Sequence, residues 1–243
     1  FDLYPYERIR YQTDRPNMWD FLPPSALSKR YEAFGFQFSK ENHILRKEYM
    51  QAYHACISFI DAQLGLVLDG LKKNGLWEDT IIIFTSDHGY HLGDHFIWGK
   101  VTLFDIGAKV PFLVRSPGIS KSGATSEAMV ELIDIYPTLA DLASLEAPDH
   151  LQGTSLRPLL GKPERLGKRK YAYSVVTRGP QNLGYALRNQ DWRYGKWPDG
   201  EELYNLRNDP HEKKNLAQKE HLKERIDVFR KALAKQQELI QQN

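Results

Sequence analysis

The residues best equipped for chemistry stand together at the end of an apolar run. Ile81-Ile82-Ile83-Phe84-Thr85-Ser86 leads straight into Asp87-His88-Gly89. A short β-branched and aromatic run bounded by glycine predicts a buried strand. In open α/β sheets, ligands bind outside the C-terminal ends of the strands. Such a strand would deliver Asp87 and His88 to a ligand site. Asp87 is a candidate metal ligand, because a carboxylate there suits a hard divalent cation. His88 has two readings, a second metal ligand or a donor to an ester oxygen, and an imidazole leaves the identity of the metal open. Lys100, in Trp98-Gly99-Lys100, offers a point charge to a bound oxyanion. The set suits phosphate or sulfate ester chemistry. The plain alternative is a capping aspartate beside a solvated lysine.

Other residues carry paired readings. His91, Asp94 and His95 either line the pocket, with His91 and His95 as substrate contacts, or stiffen the loop by hydrogen bonds. Trp98 reads as a packing anchor. Asp105 and Lys109 are spaced for an ion pair that orders the loop. Arg188 either reaches the site or sits on a strand surface. Asp134 reads as a helix cap rather than a ligand. Cys56, midway along a helical apolar face, reads as a core residue.

The elements that must position these groups follow from periodicity. Tyr49, Tyr53, Cys56, Ile60, Leu64, Val67 and Leu71 recur at helical steps, which predicts a helix over 42–73, started by Ser39 or Asn42 and ended by Asn74-Gly75. Helix, short turn and strand 81–86 form an α/β unit. Residues 87–109 form a long Gly-rich loop, and Pro111 to Arg115 a second short strand. A helix follows over 132–143, starting near Asp134 because Pro137 is tolerated in a first turn. After a polar linker at 161–170 come short strands at 171–177, 184–188 and 192–197, a turn at Pro198-Asp199-Gly200, and a pairing segment Glu202-Leu203-Tyr204. A last helix spans about 218–241, with Leu222, Ile226, Phe229, Leu233 and Ile240 as its stripe. Residues 1–39 read as irregular. The fold class is α/β to about residue 165, then a small antiparallel sheet with one covering helix.

Composition excludes several classes. The 243 residues carry 33 basic and 31 acidic side chains, a net charge of +2, so no global field calls for nucleic acid. A single cysteine allows neither an internal disulfide nor a Cys-based zinc site. No run of about 18 apolar residues suggests a membrane span. The chain opens Phe-Asp-Leu-Tyr-Pro, without Met, which reads as a start inside a longer protein.

The segment from Ser86-Asp87-His88-Gly89-Tyr90-His91-Leu92-Gly93-Asp94-His95 through Trp98-Gly99-Lys100, Val110-Pro111 and Ser116-Pro117-Gly118 resembles the type I sulfatases, nearest to the iduronate-2-sulfatase-like group. Asp134 to Leu142, Gly153 to Leu160, Glu202 to Leu206, and Asp209-Pro210, Glu212 and Asn215-Leu216 are similar to further family segments. The resemblance implies an alkaline-phosphatase-like mixed sheet with helices on both faces and metal-assisted hydrolysis of a sulfate ester. The substrate implied is a sulfated sugar or glycosaminoglycan, and the location extracytoplasmic: periplasmic, secreted or lysosomal. Asp87 and His88 would be metal ligands, of Ca2+ or another divalent cation. His88 and Lys100 would be the catalytic groups at the sulfate. Phe96 stands where relatives usually have Gly, which implies a different backbone there.

Family members convert a Cys or Ser in a Cys/Ser-x-Pro-x-Arg motif to formylglycine, and no such motif occurs in this chain; Cys56 is followed by Ile-Ser-Phe. The resemblance therefore implies that residues 1–165 are the C-terminal half of a sulfatase catalytic domain and 166–243 its C-terminal subdomain. The formylglycine nucleophile and further metal ligands would lie in an N-terminal half, and the chain alone would be inactive. Two alternatives remain beside it: a phosphatase or phosphonate monoester hydrolase of the same superfamily, and a non-catalytic glycan-binding fragment.

Overall fold

A computed structural model describes residues 1–11, 19–27, 32–39 and 41–241. The first segment is largely irregular, as expected, with short 3-10 turns and one small hairpin of β1 (Glu32–Ala33) and β2 (Phe36–Gln37). The rest of segment 1–39, including Pro16, lies outside the described residues.

Helix α1 (His43–Lys73) starts where Asn42 caps it, its side chain accepting from the Leu45 N–H at 3.3 Å. Among the described residues, its fully buried side chains lie in its first turns. Arg46 is buried and donates twice to the Phe38 carbonyl, at 3.0 and 2.7 Å. Met50 joins Phe38 and Trp98 in one cluster. Beyond that point the expected apolar stripe is only partly covered: Ile60 and Val67 are exposed and Leu64 and Leu71 half-buried, while Ile57, Phe59 and Leu66 beside it are exposed as well. Cys56 is exposed too, which corrects its reading as a core residue, because no described segment covers that stretch. By length and composition alone α1 is also apolar enough to cross a membrane, against the sequence reading. Its packed first turns, and Asp61, Gln63 and Asp69 along it, fit a helix covered by protein.

Strand β3 (Ile82–Thr85) pairs antiparallel with β6 (Phe112–Arg115), with Phe84 opposite Leu113. Between them lie the hairpin β4 (His91–Leu92) and β5 (Trp98–Gly99), and the single-turn helix α2 (Asp105–Ala108). Phe84 and Leu113 are both exposed. A two-stranded sheet with an open apolar face is marginal by itself. Helix α3 (Ile135–Leu142) begins at Asp134 and carries Pro137 in its first turn, as expected. Asp134 is fully buried, and its carboxylate accepts from the Glu131 and Thr154 N–H groups at 2.8 and 2.9 Å and from Arg169. It is a structural hub at a helix start, not a ligand on an open surface. A short helix α4 (Arg157–Gly161), not foreseen, precedes the linker.

The remaining strands, β7 (Ala172–Thr177), β8 (Leu183–Arg188), β9 (Trp192–Trp197) and β10 (Gly200–Asn205), form an antiparallel meander in the order β10-β9-β8-β7. Helix α5 (Lys223–Gln241) lays Ile226, Phe229 and Leu233 on Leu187, Tyr194 and Leu203 of that sheet. The α/β class holds, and every strand pairing among the described residues is antiparallel.

On the other sheet face Trp197 lies directly over Gly184, where a Cβ would sit 2.3 Å from the indole ring. The indole is buried and donates to Glu202 at 2.9 Å, so it has no room to retreat. Gly184→Ala is expected to cost about 2 kcal/mol through overpacking. Urea unfolding measures this, and an unchanged midpoint would refute the contact.

Candidate functional site

The site is built at the C-terminal end of β3. Ser86 Oγ donates to the His88 carbonyl at 2.8 Å, and the Asp87 carboxylate accepts the His88 N–H at 3.0 Å. These local bonds turn the chain sharply out of the strand. The Asp87 side chain is left 82% exposed, so it is available to a ligand.

Gly89 makes the next turn possible. Its N–H donates to the Gly107 carbonyl at 2.9 Å, and a Cβ would lie 1.9 Å from the Ile106 carbonyl oxygen. Only glycine allows that approach of loop to α2. Gly107 is constrained in turn, since its Cβ would fall 2.4 Å from Thr102 Oγ1.

Lys100 follows the β4–β5 hairpin. Trp98 pins that hairpin as the expected anchor: it is buried and stacks on Phe38 at 4.5 Å between ring centroids. Lys100 Nζ then reaches His88 Nε2 at 2.9 Å. His88 Nδ1 lies 2.8 Å from the Gly89 carbonyl. Both contacts are satisfied by one neutral tautomer, with Nδ1–H donating to the carbonyl and Nε2 accepting from the ammonium. Asp87 Oδ2 stands 3.3 Å from the same Nε2. The structure thus brings Asp87, His88 and Lys100 to one exposed spot. In this arrangement His88 Nε2 faces both Lys100 Nζ and Asp87 Oδ2.

His91 and His95 are not at that spot. His91 is fully buried, with Nδ1–H on the Asp94 carbonyl at 3.0 Å and Nε2 accepting from Thr102 Oγ1 at 2.7 Å. His95 is buried and stacks on Phe104 at 3.9 Å. In this structure both brace the loop from beneath, the second of the two readings. The backbone there is strained as well. His95 and Phe96 have φ of 55° and 58°, so Phe96 takes the left-handed conformation that glycine favours. Asp105 does not pair with Lys109 but with Arg188 of β8, at 3.2 Å, so Arg188 serves α2 and not the ligand surface. Sequence reading passed over Arg193, because a charged residue in a strand reads as a surface position. Glu212 was visible only as part of a family segment.

Burial pushes the imidazole of His91 down to about 4 and that of His95 to about 3. Asp94 works against the shift at His91, whereas His91, Arg193, His211 and Lys213 add to it at His95. Below about pH 6.5 the unfolded chain takes up protons that the folded one refuses, so these groups subtract stability as pH falls toward 4. Both rings are expected to stay neutral between about pH 8 and about pH 5 in a histidine NMR titration. A midpoint near 6 for either ring would show that it is solvated.

Known proteins match this arrangement. A family model described as sulfatase covers residues 9–145, and one described as the C-terminal part of N-sulphoglucosamine sulphohydrolase covers 93–239. A sulfatase of Formosa agariphila is 36% identical over 97% of this chain and 46% of its own length. An arylsulfatase of Clostridium perfringens is 36% identical over 98% of this chain and 49% of its own. The chain thus spans about half the length of these relatives. An iduronate 2-sulfatase of Mus musculus is 30% identical, so the narrower likeness expected from the sequence gives way to the family at large. Among solved structures, one in complex with its substrate D-glucosamine-2-N,6-O-disulfate has a TM-score of 0.77 at 30% identity, covering 82% of this chain and 42% of that one. A phosphonate monoester hydrolase of Agrobacterium radiobacter has a TM-score of 0.80 at 26% identity, covering 96% and 52%. The strand-end Asp87-His88-Gly89, the lysine that meets it and the two family models that run nearly end to end lead to one conclusion: the chain belongs to the sulfatase family.

Proposed function

We propose that this chain forms the anion-binding part of a sulfuric ester hydrolase acting on a sulfated sugar or glycosaminoglycan. The observation that carries the reading is the contact of Lys100 with His88 beside an exposed Asp87. An ammonium held by a neutral imidazole is ready to turn to an oxyanion, because the charge-assisted bond to a sulfate oxygen is the stronger one. Lys100 would neutralise charge on the sulfate oxygens as a nucleophile supplied from outside these residues bonds to sulfur and the sulfur–oxygen bond to the sugar breaks. The electron pair leaves on the sugar oxygen, which then takes a proton. His88 Nε2, freed when Lys100 turns to the sulfate, would take up a proton from solvent water and pass it to that sugar oxygen.

Membership of the family is consistent with calcium- and formylglycine-dependent chemistry. The residues present do not by themselves fit such a metal site. Calcium takes about six to eight oxygen ligands, and no group of three His, Cys, Asp or Glu side chains among the described residues is placed to hold a metal. Asp87 would be one ligand of a site completed from elsewhere, so the chemistry derived for this chain runs through Lys100 and His88. The nucleophile and the remaining ligands would come from an N-terminal half, which would cover Ile57, Ile60, Val67, Phe84 and Leu113, all exposed here. In this reading residues 1–165 belong to the catalytic domain and 166–243 form its C-terminal subdomain. By family resemblance the location is extracytoplasmic.

A second reading, phosphonate monoester hydrolysis, is favoured by the structural likeness to an enzyme of that name. NMR titration of the chain with sodium sulfate and with methylphosphonate separates the two. Sulfate is expected to shift His88, Gly89 and Lys100 signals, and Lys100→Ala to weaken it about tenfold or more, the loss of one charged hydrogen bond. Tighter binding of methylphosphonate would favour the second reading, and binding indifferent to Lys100 would end both.

The chain alone is expected to hydrolyse no 4-nitrophenyl sulfate. Turnover by the purified chain would place the nucleophile within these residues and overturn the division of labour.

A further inference from the structure

Glu212 is 2% exposed in the loop after β10, with its backbone in the left-handed region at φ 51°. One carboxylate oxygen is held by Arg193 Nε. The guanidinium of Arg193 is itself buried between the rings of Phe104 and Tyr204, 5.0 and 4.7 Å from their centroids, and reaches Glu202 at 3.5 Å. The second Glu212 oxygen crosses to the other part of the chain and accepts the backbone N–H of Asp105 at 2.6 Å. Asp105 is the first residue of α2, and its side chain is gripped by Arg188 at 3.2 Å. Side chains from the meander side therefore hold α2 twice, once by backbone and once by side chain.

Both halves of the candidate site rest on α2. Gly89, next to His88, hydrogen-bonds Gly107 and touches Ile106. Thr102, two residues after Lys100, packs on Gly107 and bonds His91. Val101 between them sits at φ 67°, so its left-handed turn has to be held from outside. Charge balance around Arg193 needs only Glu202 and one oxygen of Glu212. The bond to Asp105 does something more.

We infer that Glu212 is a positioning residue for the Asp87-His88-Lys100 site, acting through the Asp105 N–H and α2 on the Gly89 turn. The inference deepens the sulfate reading and rests on it for its meaning, but the coupling itself is measured without any anion.

The test is amide hydrogen exchange at Gly89 in the full chain, under conditions where every variant is folded. Three variants are compared: Glu212→Ala, Glu212→Gln, which keeps an oxygen for the Asp105 N–H, and Leu233→Ala. Leu233 is on α5, buried against the meander, so its loss lowers stability without touching α2. Glu212→Ala is expected to speed Gly89 exchange about tenfold or more beyond Leu233→Ala, by local opening. Glu212→Gln is expected to restore protection at Gly89 even where it lowers overall stability. Equal Gly89 exchange in Glu212→Ala and Leu233→Ala, or no rescue by Glu212→Gln, would overturn the inference. If Glu212→Ala does not fold, Arg188→Gln takes its place, because it loosens the Asp105 side chain and otherwise gives up only a 3.9 Å contact to the Met129 sulfur. Faster Gly89 exchange there supports the coupling, and unchanged exchange refutes it. Because no anion is present, a failure here is distinct from a failure of sulfate binding.

Discussion

The candidate site depends on the approach of two backbones without side chains between them. Gly89 lies so close to α2 that its own N–H closes on Gly107 while its Cα rests on the Ile106 carbonyl. That contact fixes the direction in which the chain leaves β3, and with it where Asp87 and His88 point. Gly107 is locked by Thr102 on the other side, so the segment that carries Lys100 is referenced to the same short helix. Backbone-to-backbone contacts of this kind have no rotamers to absorb a displacement, which suits a site in which a lysine must meet an imidazole at hydrogen-bond distance.

A short helix cannot be rigid by itself, since a single turn fixes several dihedral angles for one or two hydrogen bonds. Its rigidity is borrowed from buried charge. Arg193, Glu202 and Glu212 are each almost completely removed from water. Such a cluster is costly to bury, the more so because both Arg193 Nη groups lack a hydrogen-bond partner, and Glu202 and Glu212 offset that cost by charge. Here it ties the antiparallel meander to α2, while Asp134 and Arg169, with Glu131, tie the start of α3 to the stretch leading into β7. These charged hubs join the two parts of the chain beside two apolar clusters, Leu27, Ile97 and Phe104 with Tyr204 and Leu206, and Ala26 and Leu103 with Ala186 and Trp197.

The apolar surfaces show a different state. The meander and α5 bury a continuous core, and the Phe38–Trp98 cluster under the hairpin is closed. The outer half of α1 and the β3–β6 pair are apolar and open. Strands that carry apolar side chains on both faces are normally covered on both. The open face therefore fits a chain that spans about half the length of its relatives, and it lies on the same unit that presents Asp87.

Much of this was legible from local rules. The four strands of the meander fall within a residue or two of the runs read from turns and β-rich composition. Asn42 and Pro137 mark their helix starts as capping chemistry requires. Asp87, His88 and Lys100 stand out because their types, at the end of an apolar run and after a Gly-rich loop, name a chemistry by themselves. What sequence could not decide is which way a side chain faces when spacing permits either. His91 and His95 have the composition of pocket residues, yet the hairpin register turns them beneath the loop. Cys56 lies on an apolar stripe, yet whether a stripe is core depends on what packs against it. Arg193 and Glu212 look like surface charges until non-local pairing closes a dry space around them. The sequence by itself determined the longer elements and the chemical inventory, because propensity, capping and turn chemistry act over a few neighbouring residues. The tertiary structure alone decided burial, partner choice and the bracing of the site, because those depend on contacts between residues far apart in the chain.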